Sequence, residues 1–448
     1  MYHSQVNAVQ IKVVGLLGDF TKKEAADYQK KMTSHGFYLD DYPIINEQNS
    51  IRKNEKLENG LKDLFYPDFR NVMFLKNQND ERKLLSRRYI NNTKHPLILL
   101  KKNYNDNSIL EFPIIVSKTE VFLFPNQIGL FSLTIEINKN EKSLEEINDI
   151  IFLSRQFETQ TSTELKWHEW ITKNLICEIE LRSKKNKVVK ADEYSGSKFK
   201  LFSVIDCEEK ENRSALLFDM ATASRLGTGN GSGDNAPSIE YVEDVSKNKI
   251  SVFNNWEALC LFDSFTCVGN GILKEDWQIS TWEYTYFRIY LFRLFFKYNI
   301  YRYNSELHDK PVKLRSQFEG FLNDYNLSHI SFNFLPNELF EKMGLALKLD
   351  EELSAFQNRI NKLSSAIQEE KQSRTNMLLQ AVTALGAISS VQPILNGLSI
   401  AKDYLGLSSL LFYTLLMMLI LGIVLFIINY IMPEKIASAK KYISRWFK

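Results

Sequence analysis

Two long stretches near the C-terminus contain no charged residue, and only Lys402 and Asp403 separate them. The first covers residues 375–401 and the second covers residues 404–433. A helix needs about 20 predominantly apolar residues to cross a bilayer, so the second stretch is predicted to span a membrane. Six residues interrupt the first stretch: Asn376, Gln380, Thr383, Gln392, Pro393 and Asn396. The topology therefore depends on whether this weaker stretch also spans.

Basic residues on both sides of the two stretches predict the orientation. Lys371 and Arg374 precede the first stretch, and the tail 434–448 carries five basic residues against one acidic residue. Because basic flanks stay in the cytoplasm, two spans place both termini there. We therefore predict a multi-pass protein of the cell inner membrane, with transmembrane helix 1 at 375–401 and transmembrane helix 2 at 404–433. No signal peptide is expected, because no basic and then apolar segment opens the sequence.

A heptad seam leads into the first stretch. Its apolar residues are spaced alternately by four and three positions, as in a coiled coil. They are Leu349, Leu353, Phe356, Ile360, Leu363 and Ile367. The seam predicts a helical stalk over residues 336–374 that self-associates. The alternative is an amphipathic helix that packs on its own domain.

A polar stripe runs along the first stretch, with members again four and three positions apart. They are Asn376, Gln380, Thr383, Ala387 and Ser390. At membrane depth such side chains must face protein or water. The stripe can therefore mediate contacts between helices, or it can line an aqueous pore when several copies assemble. The stalk seam favours the pore.

This order of parts resembles the CorA-like superfamily of divalent-cation transporters. The resemblance covers roughly residues 349–448. It implies a homopentamer in a lipid bilayer, a first span that lines the pore, and a divalent cation as the transported ion, with no resident cofactor. The Gly-Met-Asn motif of that family is absent, and Asn396 and Gly397 stand in its place as the outer pore mouth. The resemblance therefore implies an ion channel without implying selectivity for magnesium.

A divergent branch of this superfamily provides the membrane effector of type III CRISPR systems, in which a nucleotide second messenger opens the channel. The large N-terminal part and the wealth of Asn, Lys, Ile and Phe in this chain are similar to such proteins. This resemblance implies an antiviral defence channel gated by its cytoplasmic domain. The alternative function is a non-conducting, membrane-anchored adaptor or binding protein.

Residues 1–335 are predicted to form an α+β cytoplasmic sensor domain. Ser143 and Glu146 have the spacing of a capping box at the start of a helix. Helices are predicted at 22–34, 143–158 and 164–181. Strands are predicted from their β-branched and aromatic content, at 6–17, 97–101, 112–116, 121–124, 130–137 and 199–205.

Clustered glycines in the segment 226–237 expose backbone amides that can hold a phosphate. This ligand-binding hypothesis depends on Arg225, Gly227, Gly229 and Gly231. A flexible loop or linker is the alternative that we favour, because the segment has no Gly-Lys-Ser/Thr motif.

The segment 282–303 is dense in aromatic residues, with Arg288, Arg293, Lys297 and Arg302 interleaved. Such a pattern suits a base-stacking surface, but a long buried helix with paired cations is the interpretation that we favour. The net charge is only +2, and no direct contact with nucleic acid is expected. The scattered histidines and the four cysteines match no catalytic or zinc spacing, so an enzyme is not predicted.

Overall fold

The computed structural model describes residues 6–20, 22–39, 60–74, 87–103, 106–124, 128–138, 142–175, 180–182, 188–190, 198–208, 212–231, 236–307, 311–405, 414, 417, 418 and 422. The chain divides into two compact units, Met1–Ile360 and Asn361–Lys448.

The first unit contains all of the strands and most of the helices described below. The strands are β1 (Val6–Asp19), β2 (Tyr38–Leu39), β3 (Arg87–Asn91), β4 (His95–Lys102), β5 (Ile109–Leu123), β6 (Ile128–Glu136), β7 (Gln160–Thr161), β8 (Glu180–Arg182), β9 (Val188–Lys190), β10 (Lys200–Cys207), β11 (Trp256–Cys260) and β12 (Ser264–Gly269). The helices are α1 (Lys22–Ser34), α2 (Pro67–Met73), α3 (Leu144–Arg155), α4 (Trp167–Leu175), α5 (Arg213–Thr222), α6 (Ile239–Ser246), α7 (Asp276–Ser280), α8 (Phe287–Glu306), α9 (Pro311–Tyr325), α10 (Phe334–Ala346) and α11 (Leu349–Leu405).

Ten of the strands form one mixed sheet in an α/β domain. The order along its main path is β11-β12-β10-β1-β6-β5-β3-β2, and β4 pairs with both β5 and β7. Strands β10 and β12 run parallel, while the other pairs of this sheet are antiparallel. Strands β8 and β9 form a separate hairpin.

The local sequence signals predicted several of these elements. The structure confirms the first strand and the helix at residues 22–34. It also confirms the capping box of α3, because the Glu146 amide donates to Ser143 Oγ at 3.2 Å and the Ser143 amide donates to Glu146 Oε2 at 2.8 Å. The two strands predicted at 112–116 and 121–124 are instead one strand, β5, which is irregular between Val116 and Lys118.

Helices cover both faces of the central strands. Side chains of α1, α3, α4 and α5 join the inner residues of β1, β4, β5 and β6 in one apolar core. On the opposite face lies α8, where Phe295 stacks on Phe124 of the sheet with ring centroids 4.3 Å apart. Nearer the start of α8, the ring centroid of Tyr290 lies 5.9 Å from that of Phe202 in β10. The first unit is therefore a three-layer arrangement of helix, sheet and helix.

In the part of the chain that the structure describes, no helix combines the length and the apolar character that crossing a membrane requires. The predicted transmembrane helix 1 at 375–401 is a segment of α11, and its polar residues dilute its hydropathy. The predicted helix 2 at 404–433 and the tail 434–448 lie almost entirely outside the described residues. The predicted fold class, an α+β domain with a stalk and two C-terminal transmembrane helices in the CorA-like order, is therefore wrong. The membrane and channel assignments and the multi-pass inner-membrane location are wrong for the same reason.

The first turns of α11 pack on the first unit. Leu349, Phe356 and Ile360 are buried, and the Phe356 ring lies 4.6 Å from the ring of Phe318 in α9. The amphipathic helix that packs on its own domain is thus the correct description of these three seam positions. Leu363 and Ile367, which follow on the same seam, are half-buried.

Two glycines offer a matched test of the packing in the first unit, one in its sheet core and one on a helix surface. A Cβ at Gly15 in β1 would lie 2.4 Å from the Phe131 ring and 3.2 Å from the Phe199 ring, whereas a Cβ at Gly320 in α9 meets nothing within 4 Å. We expect Gly15→Ala to lower the free energy of unfolding by about 1–3 kcal/mol through overpacking. Gly320→Ala should raise it by up to about 1 kcal/mol, because alanine favours the helix. Urea unfolding measures both, and equal effects of the two substitutions would contradict the packing described here.

Candidate functional site

The glycine loop after α5 holds a carboxylate of its own chain. Asp219 is fully buried near the end of α5. Its Oδ2 accepts from the Gly227 amide at 2.7 Å, and its Oδ1 accepts from the Gly229 amide and the Thr228 hydroxyl, each at 2.6 Å. Two of the amides predicted to bind phosphate are therefore already bonded to an internal anion.

The backbone of this loop also explains why its glycines are needed. Gly227 and Gly231 have φ angles of 96° and 73°, in the left-handed region that favours glycine. A Cβ at Gly229 would lie 2.6 Å from the carbonyl oxygen of Ala215 in α5. Arg225 is exposed beside the loop. The loop thus closes tightly over α5, and this geometry accounts for Gly227, Gly229 and Gly231 without an external ligand.

The aromatic segment 282–303 is a buried helix, as we favoured. It begins in a π-helical turn at Thr281–Tyr286 and continues in α8. Three of its cations donate to backbone carbonyls. Arg288 Nη1 reaches Met73 O at 2.9 Å, Arg293 Nε reaches Phe340 O at 2.9 Å, and Lys297 Nζ reaches Leu347 O at 2.8 Å. These side chains join α8 to α2, α10 and the start of α11, so they do not form a base-stacking surface.

A buried ion network lies where the π-helical turn meets the sheet. We call it the sheet network, and its charged members are Lys12, Arg88, Lys118, Glu120 and Glu283. Lys12 Nζ lies 3.0 Å from Glu120 Oε2 and 3.6 Å from Glu283 Oε1, and Arg88 Nε donates to Glu120 Oε1 at 2.9 Å. Lys118 pairs with Glu283.

The charges of the sheet network stabilise one another. Burial opposes ionisation of Glu120, but Lys12 and Arg88 outweigh that effect and hold its pKa well below the usual range. Burial likewise opposes the charge on Lys118, yet the carboxylates of Glu120 and Glu283 raise its pKa. Glu120 and Lys118 are therefore charged at neutral pH. Because removing one partner would leave a buried charge uncompensated, the sheet network fixes the position of the π-helical turn on the sheet.

A second cluster of polar groups joins α8 to the start of α11. We call it the root cluster, and it comprises Phe262, Lys297, Tyr301, Leu347 and Glu352. Besides its bond to Leu347 O, Lys297 Nζ lies 3.3 Å from Glu352 Oε1 and 3.6 Å from the centroid of the Phe262 ring. Tyr301 donates to the same Glu352 oxygen at 3.0 Å. Helices α8 and α11, the link between α10 and α11, and the turn between β11 and β12 therefore meet around one ammonium group.

Burial lowers the pKa of Lys297 to about 8, although Glu352 opposes the shift. A second cation, Lys200, lies nearby and donates to Asp263 Oδ1 at 2.5 Å and to Phe262 O at 3.1 Å. The centroid of the Phe262 ring also lies 4.4 Å from Lys200 Nζ, so two ammonium groups contact the same ring. The root cluster is thus the place where α8, α11 and the turn between β11 and β12 meet around the Lys297 ammonium group.

The predicted pore residues lie on α11. Asn376 and Thr383 are exposed, Gln380 is half-buried, and the Thr383 hydroxyl donates to Leu379 O of its own helix at 2.8 Å. The other predicted positions also fall within α11, and they are Ala387, Ser390, Asn396 and Gly397. The structure therefore places the predicted stripe along one helix, whose hydropathy does not support the bilayer that a pore wall requires.

The sequence analysis missed both polar clusters. A signal for the sheet network was present, since Lys12 and Glu120 interrupt apolar strand sequences. For the root cluster the sequence singled out Lys297 as a cation in a buried aromatic helix, but it did not point to Phe262 and Glu352, which are far from Lys297 in the sequence. In the described part of the chain, no group of three or more His, Cys, Asp or Glu side chains is placed to hold a metal ion.

Comparison with known proteins gives no family model, no curated protein and no solved structure that matches this chain. Function must therefore be argued from the geometry.

The Asp219 cradle predicts a specific loss of stability. We expect Asp219→Asn to lower the free energy of unfolding by about 1–3 kcal/mol, because an amide cannot accept all the bonds of the buried carboxylate. The matched control is Asp244→Asn, whose ion pair with Lys247 is exposed and should contribute less than about 1 kcal/mol. Urea unfolding of the two variants decides, and a loss at Asp244 as large as that at Asp219 would contradict the internal role of the loop.

The lowered pKa of Lys297 predicts a dependence of stability on pH. Between about pH 8 and about pH 10 the unfolded chain keeps the lysine proton that the folded chain has lost, so folding stability gains with rising pH. Relative to Lys297→Met, the wild type should therefore gain stability by at most about 1.4 kcal/mol per pH unit over this range. Urea unfolding at several pH values measures the difference, with the exposed Lys313→Met as control. A difference that falls as the pH rises would contradict the lowered pKa.

Proposed function

We propose that this protein is a self-assembling regulatory protein, in which the second unit's part of α11 associates with the same part of a second copy. The observation that supports this proposal is an array of exposed apolar side chains on that helix. Met377, Leu378, Leu379, Val382 and Leu385 each leave between 60% and 69% of their surface exposed.

Exposed side chains of this size favour association. Burying one large apolar side chain stabilises a complex by about 1.5–3 kcal/mol, and clustered apolar patches are uncommon on monomers. Leu378, Val382 and Leu385 lie within about 60° of one another around the helix, so these three form one apolar side of it.

The chemistry of this segment suits a second copy of itself. It carries no charge between residues 375 and 401, so two copies can approach without repulsion. At 3.6 residues per turn, Asn376 and Gln380 lie on the side of α11 away from Leu378 and Leu385, so covering the apolar side does not bury their amides.

The root cluster supplies the regulatory part of the proposal. Because Lys297 of α8 and Glu352 of α11 share one ion pair, a change in the sheet that shifts α8 also acts on the first turns of α11. A shared contact of this kind can couple a movement of one helix to its neighbour. Gating by a nucleotide, a pentameric state and a transported divalent cation stay predictions of the family resemblance.

Charges placed in the uncharged segment should break the assembly. Leu378 and Leu385 are seven positions apart and lie on one side of α11. We expect Leu378→Glu with Leu385→Glu to weaken self-association by roughly 100-fold or more, since two apolar contacts are lost per chain. Sedimentation velocity of the full chain over a range of concentrations measures this effect.

The matched control places the same charge on the same helix outside the uncharged segment. Ser365 is exposed on α11, and Ser365→Glu should leave the mass distribution unchanged. If the double variant and the wild type sediment alike, the α11 interface does not exist as proposed.

A further inference from the structure

One end of the sheet presents an uncovered apolar face. The register of β4 on β5 pairs Pro96 with Ile115, Ile98 with Pro113, Leu100 with Glu111, and Lys102 with Ile109. These residues share one side of the two strands, because alternate residues point to opposite faces. We call its apolar part the hairpin face, comprising Pro96, Ile98, Leu100, Ile109, Pro113 and Ile115.

The hairpin face is more exposed than the opposite side of the same strands, although Ile98 and Leu100 are half-buried and Leu110 on the opposite side is exposed. Ile109 leaves 62% of its surface exposed and Ile115 leaves 38%. On the opposite side, Leu99, Phe112 and Ile114 lie within the apolar core. Strands with apolar residues on both faces are typical of sheets that are covered on both sides.

The same sheet face is covered farther along β5. Beyond the irregularity after Val116, Lys118 and Glu120 lie in the sheet network beneath the π-helical turn, and Phe122 lies against Phe287 of α8. Within the described residues, this cover ends before Ile115. The hairpin face is therefore the uncovered continuation of an interface that the first unit itself uses.

The edges of these two strands do not offer a second way to bind a partner. The Ile98 amide donates to Ser162 Oγ at 3.2 Å, and Ile98 O accepts from the Ser162 amide at 3.0 Å, so the backbone of Ile98 points away from β5. Its partner in the register, Pro113, must then point away from β4, where it has no amide hydrogen to donate. Strand addition is disfavoured at both places, which leaves docking on the face.

We infer that the hairpin face packs against the hairpin face of a second copy of the chain. The charges on this face are complementary to themselves, since Lys102 and Glu111 lie on neighbouring strands of the same face and both are exposed. A two-fold axis places identical patches together, so Lys102 of one copy can meet Glu111 of the other. Two sheets that pack face to face in this way form a sandwich about 10 Å thick.

This inference does not rest on the association of α11, because it concerns a surface in the first unit. It can be tested separately in the full chain carrying Leu378→Glu and Leu385→Glu, as well as in the wild-type background. An association that remains in that double variant and responds to hairpin-face substitutions belongs to the hairpin face. An association that responds only to the α11 substitutions belongs to α11.

The test is a charge exchange measured by sedimentation. Lys102→Glu alone and Glu111→Lys alone should each weaken self-association, by roughly tenfold, because each creates like charges at two symmetric places. The combined variant Lys102→Glu with Glu111→Lys restores opposite charges and should bring the affinity back to within about twofold of its starting value. Because Lys102 and Glu111 are diagonal neighbours within one chain, the recovery supports a homotypic contact when urea unfolding gives both single variants the stability of the wild type. Lys313→Glu, at an exposed position of α9, is the control for a change in net charge.

An apolar substitution provides the second arm. Ile109→Asn should reduce self-association by roughly tenfold or more, while Ile239→Asn, at a position of similar exposure in α6, should not change it. Circular dichroism and urea unfolding verify that the variants stay folded. Three results would each overturn the inference. The combined charge variant could associate as weakly as the single variants, or the Ile109→Asn variant could associate as the wild type does. The third is a chain that stays monomeric up to about 100 μM in both backgrounds.

Discussion

The contact between α8 and the sheet is the interaction on which the first unit depends. Helix α8 is buried along most of its length and carries several cations into the interior. A buried charge is strongly unfavourable unless it is paired or hydrogen-bonded. Arg288, Arg293 and Lys297 meet this requirement by donating to carbonyls of other elements, and the sheet network does so at the preceding π-helical turn. The polar contacts thereby specify the position of the aromatic helix, while its buried aromatic rings pack against the sheet and the neighbouring helices.

The sequence predicted those elements that depend on residues close together in the chain. The start of α3 follows from Ser143 and Glu146 alone, and the first strand follows from its alternating apolar residues. The burial of the segment 282–303 was also predictable, since its four cations are incompatible with a bilayer and its aromatics need a core. The partners of those cations were not predictable, because Met73, Phe340 and Leu347 contribute only backbone oxygens, which any residue carries.

The error about the membrane has a physical cause. A segment without charged residues is not necessarily apolar, because uncharged residues such as Asn376 and Gln380 are polar. The prediction interpreted the polar stripe as a pore wall. That interpretation already assumed that the helix lies in a bilayer, so it could not serve as evidence for one. The glycine loop shows a related limit, because the sequence cannot tell whether exposed amides bind an external anion or, as here, the carboxylate of Asp219.

Strand β5 is a single 15-residue element that serves two surroundings. Its inner end carries Glu120 and Phe122 beneath the aromatic helix, and its outer end carries Ile109 and Ile115 at the surface. At about 3.4 Å per residue the strand is roughly 50 Å long, and a paired strand resists stretching along its axis. Its outer end is therefore mechanically connected to the buried charges, and the irregularity after Val116 is the one weak joint between them. A movement of the outer end would therefore either bend the strand at this irregularity or be transmitted along it to Glu120 and Phe122.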